Sequence, residues 1–456
     1  MKENMSSKTT FLQKIIYGLG DVGVNLVWML PSSFLTMYYT DSVYISAAYI
    51  GTTMLICRMF DGVSDLIMGV IIDKTKSRFG KARPWLLYMG LPLVLSIFFT
   101  FYVPSGFSTI GKNIYIFITY FIMSVICYTA VNLSYHAMLP RFSLTSQDRV
   151  SVSAVRSVFA LIATMVVSIL TPSLITKFGG YNSQKAWSTI VIVYGVIAEI
   201  ALLVTFFGIK EKIKDDISEK DEAKPKTNTW ESIKVLLSSR YFYISIFVFL
   251  TFYINNGASG VNIYYARDVF GNENLYGIMN MVSLIPILLF TPFMPKLLSK
   301  AGKRNAMCGG MIIAAVLSLG LFLFARNPMI YLILCFFRSI ASCPVMSAMY
   351  TLAGDIVDYN QWKHGFRTEG IATSINSIGM KLGTGLGSAI LGWSLAIGHY
   401  DGTLTTQAPE ALNSMIFVAT IIPMVVYAIA AILLAFWNLE KYQDEISTFV
   451  AGQTRE

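Results

Sequence analysis

Residues 114–131 read IYIFITYFIMSVICYTAV and residues 415–436 read MIFVATIIPMVVYAIAAILLAF, and neither run contains a charged residue. A helix needs about 20 such residues to cross the hydrocarbon core of a bilayer. A membrane β-barrel would instead show segments of about ten residues that alternate between apolar and polar side chains. These two runs therefore predict an all-α membrane protein.

The composition of the whole chain agrees with these runs. Of its 456 residues, 55% are hydrophobic and only 13% are charged, whereas an ordinary soluble domain carries about 25% charged residues. Too few charges are present to coat soluble domains, so a soluble enzyme and a disordered chain are excluded. The net charge of +9 comes from cations in short loops, which is typical of membrane topology rather than of nucleic-acid binding.

The sequence also lacks the patterns of a catalytic site. It shows no nucleophile–base pair, no metal-ligand spacing and no phosphate-binding loop. Its five cysteines are scattered, mostly inside apolar runs, which is typical of core thiols. We therefore expect a protein that is not an enzyme and that holds no cofactor.

Apolar runs, loop charges and glycine and proline residues together predict twelve membrane-spanning helices. Several of them exceed 25 residues, so tilted or kinked helices are expected. The predicted spans are residues 14–39, 45–72, 84–104, 112–138, 153–175, 186–208, 240–264, 275–298, 305–325, 328–357, 370–397 and 412–437.

Lysine and arginine are concentrated in alternate loops, which predicts the orientation of the chain. Residues 74–83 and 296–304 are rich in these cations, and the loops on the other side are poorer in them. The positive-inside rule places the rich loops and both termini in the cytoplasm, in a cell inner membrane. The predicted domains are a six-helix bundle at 1–209, a cytoplasmic loop at 210–235, a second six-helix bundle at 236–440 and a cytoplasmic tail at 441–456.

The two halves of the chain resemble each other. MYYTD (residues 37–41) ends the first predicted helix, and IYYARD (residues 263–268) ends the seventh. The pairs Gly80-Lys81 and Gly302-Lys303 follow the second and eighth helices. Duplicated six-helix halves are typical of secondary transporters, although chance similarity of basic loops is an alternative.

The second helix carries the strongest candidate site. Asp61 and Asp65 are four residues apart and share a helical face, with Arg58 one turn before Asp61. Two carboxylates this close in a low dielectric need a proton or a cation between them. The alternative is a structural ion pair of Arg58 with one carboxylate, which would leave the other unpaired. We therefore favour a cation site.

Other polar residues inside the spans are candidates for binding, because polar groups in a membrane are costly unless they have a role. Those on the fourth helix share a face, but hydrogen bonds between helices or a satisfied interior histidine would also explain them. The lysine in the eleventh helix needs a carboxylate or water as a partner. These candidates are Asp21, Asn25, Thr129, Asn132, His136, Arg156 and Lys381.

Charged residues at the cytoplasmic ends are better explained as gates than as ligand sites. We expect the basic loops at residues 78–83 and 300–304 to act as latches when the cytoplasmic side is closed. The candidate gating residues are Arg78, Lys81, Arg83, Asp355, Asp358 and Arg367.

Several motifs resemble the glycoside–pentoside–hexuronide:cation symporter family. They are YGLGDVGVN (residues 17–25), RMFDGVSDLIMGVIIDKTKSRFGKARPW (residues 58–85) and DIVDYNQWKHGFRTEG (residues 355–370), and the resemblance runs from about residue 12 to residue 440. It implies the major facilitator fold and a cation-coupled symporter that imports a sugar or glycoside by alternating access. It also implies a central cavity between the halves.

By position, the resemblance implies roles for individual residues. The cation would bind near Asp61, Asp65, Thr129, Asn132 and Lys381, with Na⁺ or H⁺ as the coupling ion and no other metal. The sugar would bind near Asp21, Asn25, Asn132, His136, Arg156, Asn376, Ser377 and Lys381.

The chain departs from the melibiose-carrying branch of that family. Asn25 and Asn132 stand where that branch has aspartates, and His136 and Met346 stand where it has tryptophans. The pattern is more similar to the glucuronide and xyloside branch. Both a neutral pentoside or β-glycoside and a hexuronide or glucuronide therefore stay open, as do both coupling ions.

The expected partners are a small-molecule sugar, the coupling cation and the lipid bilayer, with no nucleic acid, and we expect a monomer. An alternative of the same fold is a lipid or lysolipid transporter. The polar set in the spans argues against that alternative.

Overall fold

The computed structural model describes residues 9–212, 238–364, 369–442 and 445–446, apart from the side chains of residue 146 and residues 364–376. These residues form helices joined by short loops, and no strand occurs among them. The predicted central loop at 210–235 and tail at 441–456 fall almost entirely outside the described residues.

Twelve long helices run between the two ends of the molecule in the part of the chain that the structure describes. Ten of them, within the described ranges, are long and apolar enough to span a membrane. The other two, α2 and α11, are of similar length, but their charged and glycine residues make them less apolar. The helices are α1 Phe11–Asp41, α2 Ala47–Lys74, α3 Arg83–Thr100, α4 Thr109–Phe142, α5 Ser146–Phe178, α6 Gln184–Gly208, α7 Arg240–Val269, α8 Leu275–Ala301, α9 Lys303–Leu323, α10 Pro328–Lys363, α11 Glu369–Ile397 and α12 Pro409–Tyr442.

The helices agree with the twelve predicted spans, and three of them contain a π-helical turn. Helix α4 contains a π-helical turn at Ile122–Tyr128, α7 ends in one at Tyr265–Val269, and α12 contains one at Phe417–Ile421. Such turns insert an extra residue into the helix and change which side chains face the centre. In α4 the inserted turn directly precedes Thr129 and so sets the direction of that candidate ligand.

Local sequence fixes where α1 begins. The Thr10 hydroxyl accepts a hydrogen bond from the Gln13 N–H at 3.2 Å, and the Gln13 side chain accepts one from the Thr10 N–H at 3.0 Å. This capping box satisfies two backbone donors that would otherwise lack partners at a helix start.

Glycines on α11 bring this helix against α7. A Cβ added to Gly383 would lie 2.5 Å from the Leu250 carbonyl oxygen and 2.9 Å from Tyr253 Cβ, and one added to Gly387 would collide with the Ile254 carbonyl oxygen. Small residues at such positions let membrane helices pack backbone to backbone. This close packing places one face of α11 against α7 and another against α2.

We expect Gly383→Ala to lower the thermal stability of the purified protein, because the added methyl group would force α11 away from α7. Overpacking of this kind is worth about 1–3 kcal/mol. Gly69→Ala on α2 is the matched control, since a Cβ at Gly69 would meet nothing within 4 Å. It should leave the melting temperature unchanged or raise it. Equal melting temperatures for the two variants in detergent would contradict the close packing.

The two halves of the molecule also meet along α2 and α11. A Cβ added to Gly51 of α2 would lie 3.0 Å from Ala389 Cα of α11, and the indole of Trp393 donates to Thr52 Oγ1 at 3.1 Å. This contact line between the halves leads to the charged residues in the middle of both helices.

Candidate cation and sugar sites

Four charged side chains meet where α2 crosses α11. Arg58 Nη1 donates to Asp61 Oδ2 at 2.8 Å, and Lys381 Nζ donates to Asp65 Oδ2 at 2.5 Å. In the sequence analysis the first pair was the alternative to a cation site, and Lys381 was expected to need a carboxylate or water as its partner. The structure supplies that partner from the other half of the chain. We call Arg58, Asp61, Asp65 and Lys381 the charge cluster; its formal charges balance.

Lys381 also holds the backbone of α2. Its Nζ donates to the Asp61 carbonyl oxygen at 2.6 Å, so one ammonium contacts both α2 positions that bear carboxylates. One turn further along α11, a Cβ added to Gly385 would lie 2.9 Å from Arg58 Cβ. The cluster is therefore a contact between the two halves, and a change in its charge changes how the halves attract each other.

Several oxygen atoms beside the charge cluster can bind a cation. Asp61 is 4% exposed, and its Oδ1 is buried with no hydrogen-bond partner among the described residues. The Ser64 hydroxyl donates to Thr129 Oγ1 of α4 at 3.3 Å. The Ser64 hydroxyl also lies 3.1 Å from the Asp61 carbonyl oxygen. Hard cations prefer oxygen ligands of this kind. The sequence analysis did not single out Ser64, although its place between the two aspartates could have indicated it.

Aromatic side chains pack beside the charge cluster. The Arg58 guanidinium lies 4.1 Å above the ring of Trp28, and its Nη2 is 3.4 Å from the Tyr120 hydroxyl. Trp28 in turn stacks on Tyr128, with ring centroids 4.1 Å apart. A cation over an indole face is favourable, so Trp28 holds Arg58 in place. It also presents a flat apolar surface beside the cluster.

Trp28 and Arg58 line a central cavity between the halves. Its volume is about 400 Å³, within the range of small-molecule sites. Met346, where the resemblance places a stacking tryptophan in another branch, also lines it. The polar lining includes Asn255, Asn280, Arg338, Ser339, Ser342 and Tyr427 from the second half of the chain.

The sugar residues predicted on α1, α4 and α5 form a separate group. Arg156 Nη1 lies 2.7 Å from His136 Nδ1, so the guanidinium donates and the imidazole nitrogen accepts. The Asn25 amide donates to the Asp21 carbonyl oxygen at 2.8 Å. Asp21 itself is 5% exposed and has Arg156 as its electrostatic neighbour. None of these four lines the central cavity described above, so the predicted sugar residues do not all share one pocket.

Of the remaining predicted ligands, Asn132 and Ser377 are both half-buried. Asn132 lies on α4 between Thr129 and His136, and Ser377 lies on α11 one turn before Lys381. The side chain of Asn376 lies outside the described residues.

The predicted gating residues pair within their own halves. Three successive backbone N–H groups, those of Lys81, Ala82 and Arg83, donate to the Glu211 carboxylate at 2.8–3.1 Å. In the other half, Lys303 Nζ lies 2.9 Å from Asp355 Oδ1.

Two further predicted gating residues, Arg78 and Asp358, are among the described residues. The Arg78 guanidinium lies 4.7 Å from the centroid of the Phe79 ring. Asp358 follows Asp355 by one turn on α10. Arg367 lies outside the described residues.

The opposite end of the bundle carries a network that joins the halves. Arg267 Nη1 donates to Asp41 Oδ2 at 2.5 Å, and Tyr400 donates to Asp41 Oδ1 at 2.8 Å. Arg267 also pairs with its neighbour Asp268 at 2.7 Å. Asp41 ends the repeated motif at residues 37–41, and Arg267 is the penultimate residue of the motif at residues 263–268. Sequence analysis used that repeat as a sign of duplication and missed that its two copies bind each other.

Comparison with known proteins identifies the family. The model described as MFS/sugar transport protein matches residues 16–441. The chain belongs to this family. The resemblance found in the sequence is thereby confirmed, as is an all-α membrane protein with the major facilitator fold.

Relatives and solved structures agree with this assignment. The chain is 31% identical to the "Uncharacterized symporter YnaJ" of Bacillus subtilis (strain 168) over 98% of its own length and 96% of the relative. It is 30% identical to the "Isoprimeverose transporter" of Lactiplantibacillus pentosus, over 95% of its own length and 90% of the relative. A crystal structure of a D-xylose-proton symporter superposes with a TM-score of 0.64 at 15% identity, covering 94% of this chain and 98% of that one. This member of a sugar-transport family is a multi-pass membrane transporter, and not an enzyme.

Proposed function

We propose that the protein is a cation-coupled symporter that imports a sugar or glycoside across the inner membrane by alternating access. The charge cluster is the observation that carries the proposal. It places two carboxylates and two cations on the contact between the halves. A relative that is an isoprimeverose transporter supports a glycoside as the substrate, either neutral or a hexuronide.

In this proposal the coupling ion competes with Lys381. Asp61 Oδ1, the Asp65 carboxylate and Thr129 Oγ1 would hold Na⁺, or one of the carboxylates would take H⁺. Either ion reduces the negative charge that holds Lys381 at α2, so the contact between α2 and α11 changes when the ion binds. Ion and sugar then bias the same two-state equilibrium and assist each other's binding, as linkage requires.

The proposed transport cycle uses both ends of the molecule. The Arg267–Asp41–Tyr400 network closes the end that the positive-inside rule assigns to the outside, with both termini in the cytoplasm. It must break for the sugar to enter. The basic loops at residues 78–83 and 300–304 would then form contacts between the halves at the cytoplasmic end.

The proposal is tested by uptake into proteoliposomes that contain the purified protein. Labelled isoprimeverose, a xyloside and a glucuronide are offered under a sodium gradient, a proton gradient or neither. We expect at least one of these sugars to accumulate above its outside concentration under one gradient, and to fall back to equilibrium when an ionophore collapses it. Absence of uptake for every sugar, together with movement of a labelled lysophospholipid between the leaflets, would overturn the proposal.

A further inference from the structure

Helix α10 carries an arginine in the middle of an apolar segment, FFRSIASCPVM at residues 336–346. Arg338 lies on the wall of the central cavity, in the half of the chain opposite Trp28. A guanidinium inside a membrane protein is expensive and marks a functional position unless a carboxylate offsets it.

Arg338 has no such carboxylate among the described residues. Its Nη2 makes a long hydrogen bond to Cys335 Sγ at 3.8 Å, and its Nη1 is buried without a hydrogen-bond partner among those residues. Its electrostatic neighbours are Cys335, Tyr427 and Tyr331, and none of these is a carboxylate. A buried charge with this few partners is costly.

The other intramembrane cations differ in this respect. Arg58, Arg267 and Lys381 each lie within 2.5–2.8 Å of a carboxylate oxygen. Arg156 has the His136 ring nitrogen as its partner. Among the described residues, Arg338 is therefore a cation of the cavity wall that has no carboxylate partner. An anionic group that enters the cavity can supply that partner.

Neutral groups in the wall of the same cavity also have unused hydrogen-bonding capacity. Both polar atoms of the Asn255 side chain are buried without a hydrogen-bond partner among the described residues. The hydroxyls of Ser339 and Ser342 donate to backbone oxygens of their own helix, at 2.9 and 2.8 Å, so their oxygens can still accept. Asn255 lines the same cavity and can bind a sugar hydroxyl in either direction.

We propose that Arg338 and Asn255, which line the same central cavity, form an anion-binding subsite, and that the transported sugar carries a carboxylate or sulfonate group. This inference rests on the proposed function, since it names the substrate class for the same cavity. The acidic group binds Arg338, because Arg58 is committed to Asp61 and Trp28. A guanidinium can hold two oxygens of such a group at once, and the sugar hydroxyls meet Asn255 and the serines.

The test compares an acidic sugar with its neutral counterpart in the proteoliposome assay. The probes are methyl β-glucuronide and the matching amide, in which a neutral group replaces the carboxylate at the same position. In the wild-type protein we expect the acidic sugar to bind at least about tenfold more tightly than the amide, since a hydrogen bond to a charged group contributes about 1.5–3 kcal/mol. This comparison needs no variant and so does not depend on whether a variant folds.

Variants then locate the subsite. Arg338→Gln should raise KM for the acidic sugar at least about tenfold and change KM for the amide less than about threefold, and Arg338→Lys should keep part of the preference. Arg326→Gln, at an exposed arginine beyond the end of α9, is the matched control, and it should leave the preference for the acid intact. If Arg156→Gln abolishes the preference and Arg338→Gln does not, the acidic group binds elsewhere and the inference is overturned.

Failure of this inference can be told apart from failure of the proposed function. Transport of the amide or of neutral glycosides with no preference for the acid would overturn the anionic subsite and leave sugar symport standing. Absence of transport for both kinds of sugar would overturn sugar symport itself.

Discussion

Replacing Asp65 with asparagine should abolish gradient-driven sugar accumulation, while exchange of sugar across the membrane persists. Asp65 is the partner of Lys381, and its side chain is 33% exposed. The substitution removes the charge that a coupling ion would neutralise, yet asparagine can still accept a hydrogen bond from Lys381. We expect accumulation to fall from the level set by the ion gradient to equilibrium, measured as labelled sugar inside proteoliposomes.

Asp73→Asn is the matched control, because Asp73 lies on the same helix and is exposed at its end. It should accumulate sugar like the wild type. Asp61→Asn should abolish accumulation as well, but it also leaves the Arg58 charge without its carboxylate, and breaking a buried pair costs about 3–5 kcal/mol. Asp65→Asn is therefore the cleaner variant. Full accumulation by Asp65→Asn would remove Asp65 from the cation site.

Replacing Lys381 with methionine should uncouple sugar uptake from the ion gradient. The ammonium group contacts both Asp65 and the Asp61 carbonyl oxygen, so its removal deletes the internal competitor of the coupling ion and the contact between α11 and α2. We expect uptake down a sugar gradient to continue at a reduced rate, with its dependence on cation concentration lost. The measurement is the initial rate of uptake as a function of the cation concentration outside.

The control and a double variant separate a coupling role from a structural one. Lys177→Met removes an exposed lysine near the end of α5 and should leave cation dependence unchanged. The double variant Asp65→Asn with Lys381→Met restores charge balance, so it should melt at a higher temperature than Lys381→Met alone and stay uncoupled. Unchanged cation dependence in Lys381→Met would make Lys381 a structural residue.

Helical periodicity could predict the local part of the charge cluster, whereas only the family resemblance placed Lys381 near the two carboxylates. Helical periodicity alone places Arg58, Asp61 and Asp65 on one side of α2. The pair Asp65–Lys381 joins residues 316 positions apart, and no local pattern encodes such a contact. The same holds for Arg267 with Asp41, since their motifs are visible as a repeat but their pairing depends on how the halves pack.

The presence of each helix could be predicted from the sequence, but the positions of the helix ends could be predicted less well. The seventh span was predicted to end at residue 264, but the helix continues through a π-helical turn to Val269. The tenth was predicted to end at 357 and runs to Lys363. Apolar content predicts spans well because lipid demands it. It says little about a polar helical extension outside the membrane or an inserted residue.

The sequence contained a signal for Arg338 that the sequence analysis did not use. A charge within an apolar run singled out Asp61 and Lys381, and the same criterion applies to residues 336–346. What the sequence could not show is that the described structure offers Arg338 no carboxylate, whereas Arg58 and Lys381 each have one.

The central claim is that sugar and cation cross together through the charge cluster, and sugar-induced ion movement tests it most directly. Sugar is added to proteoliposomes without any imposed ion gradient, and internal Na⁺ and pH are recorded with entrapped dyes. The account predicts that sugar entry drives Na⁺ or H⁺ inward in the wild-type protein, and that Asp65→Asn exchanges sugar without this ion movement. Sugar entry through the wild-type protein with no movement of either ion would contradict the account.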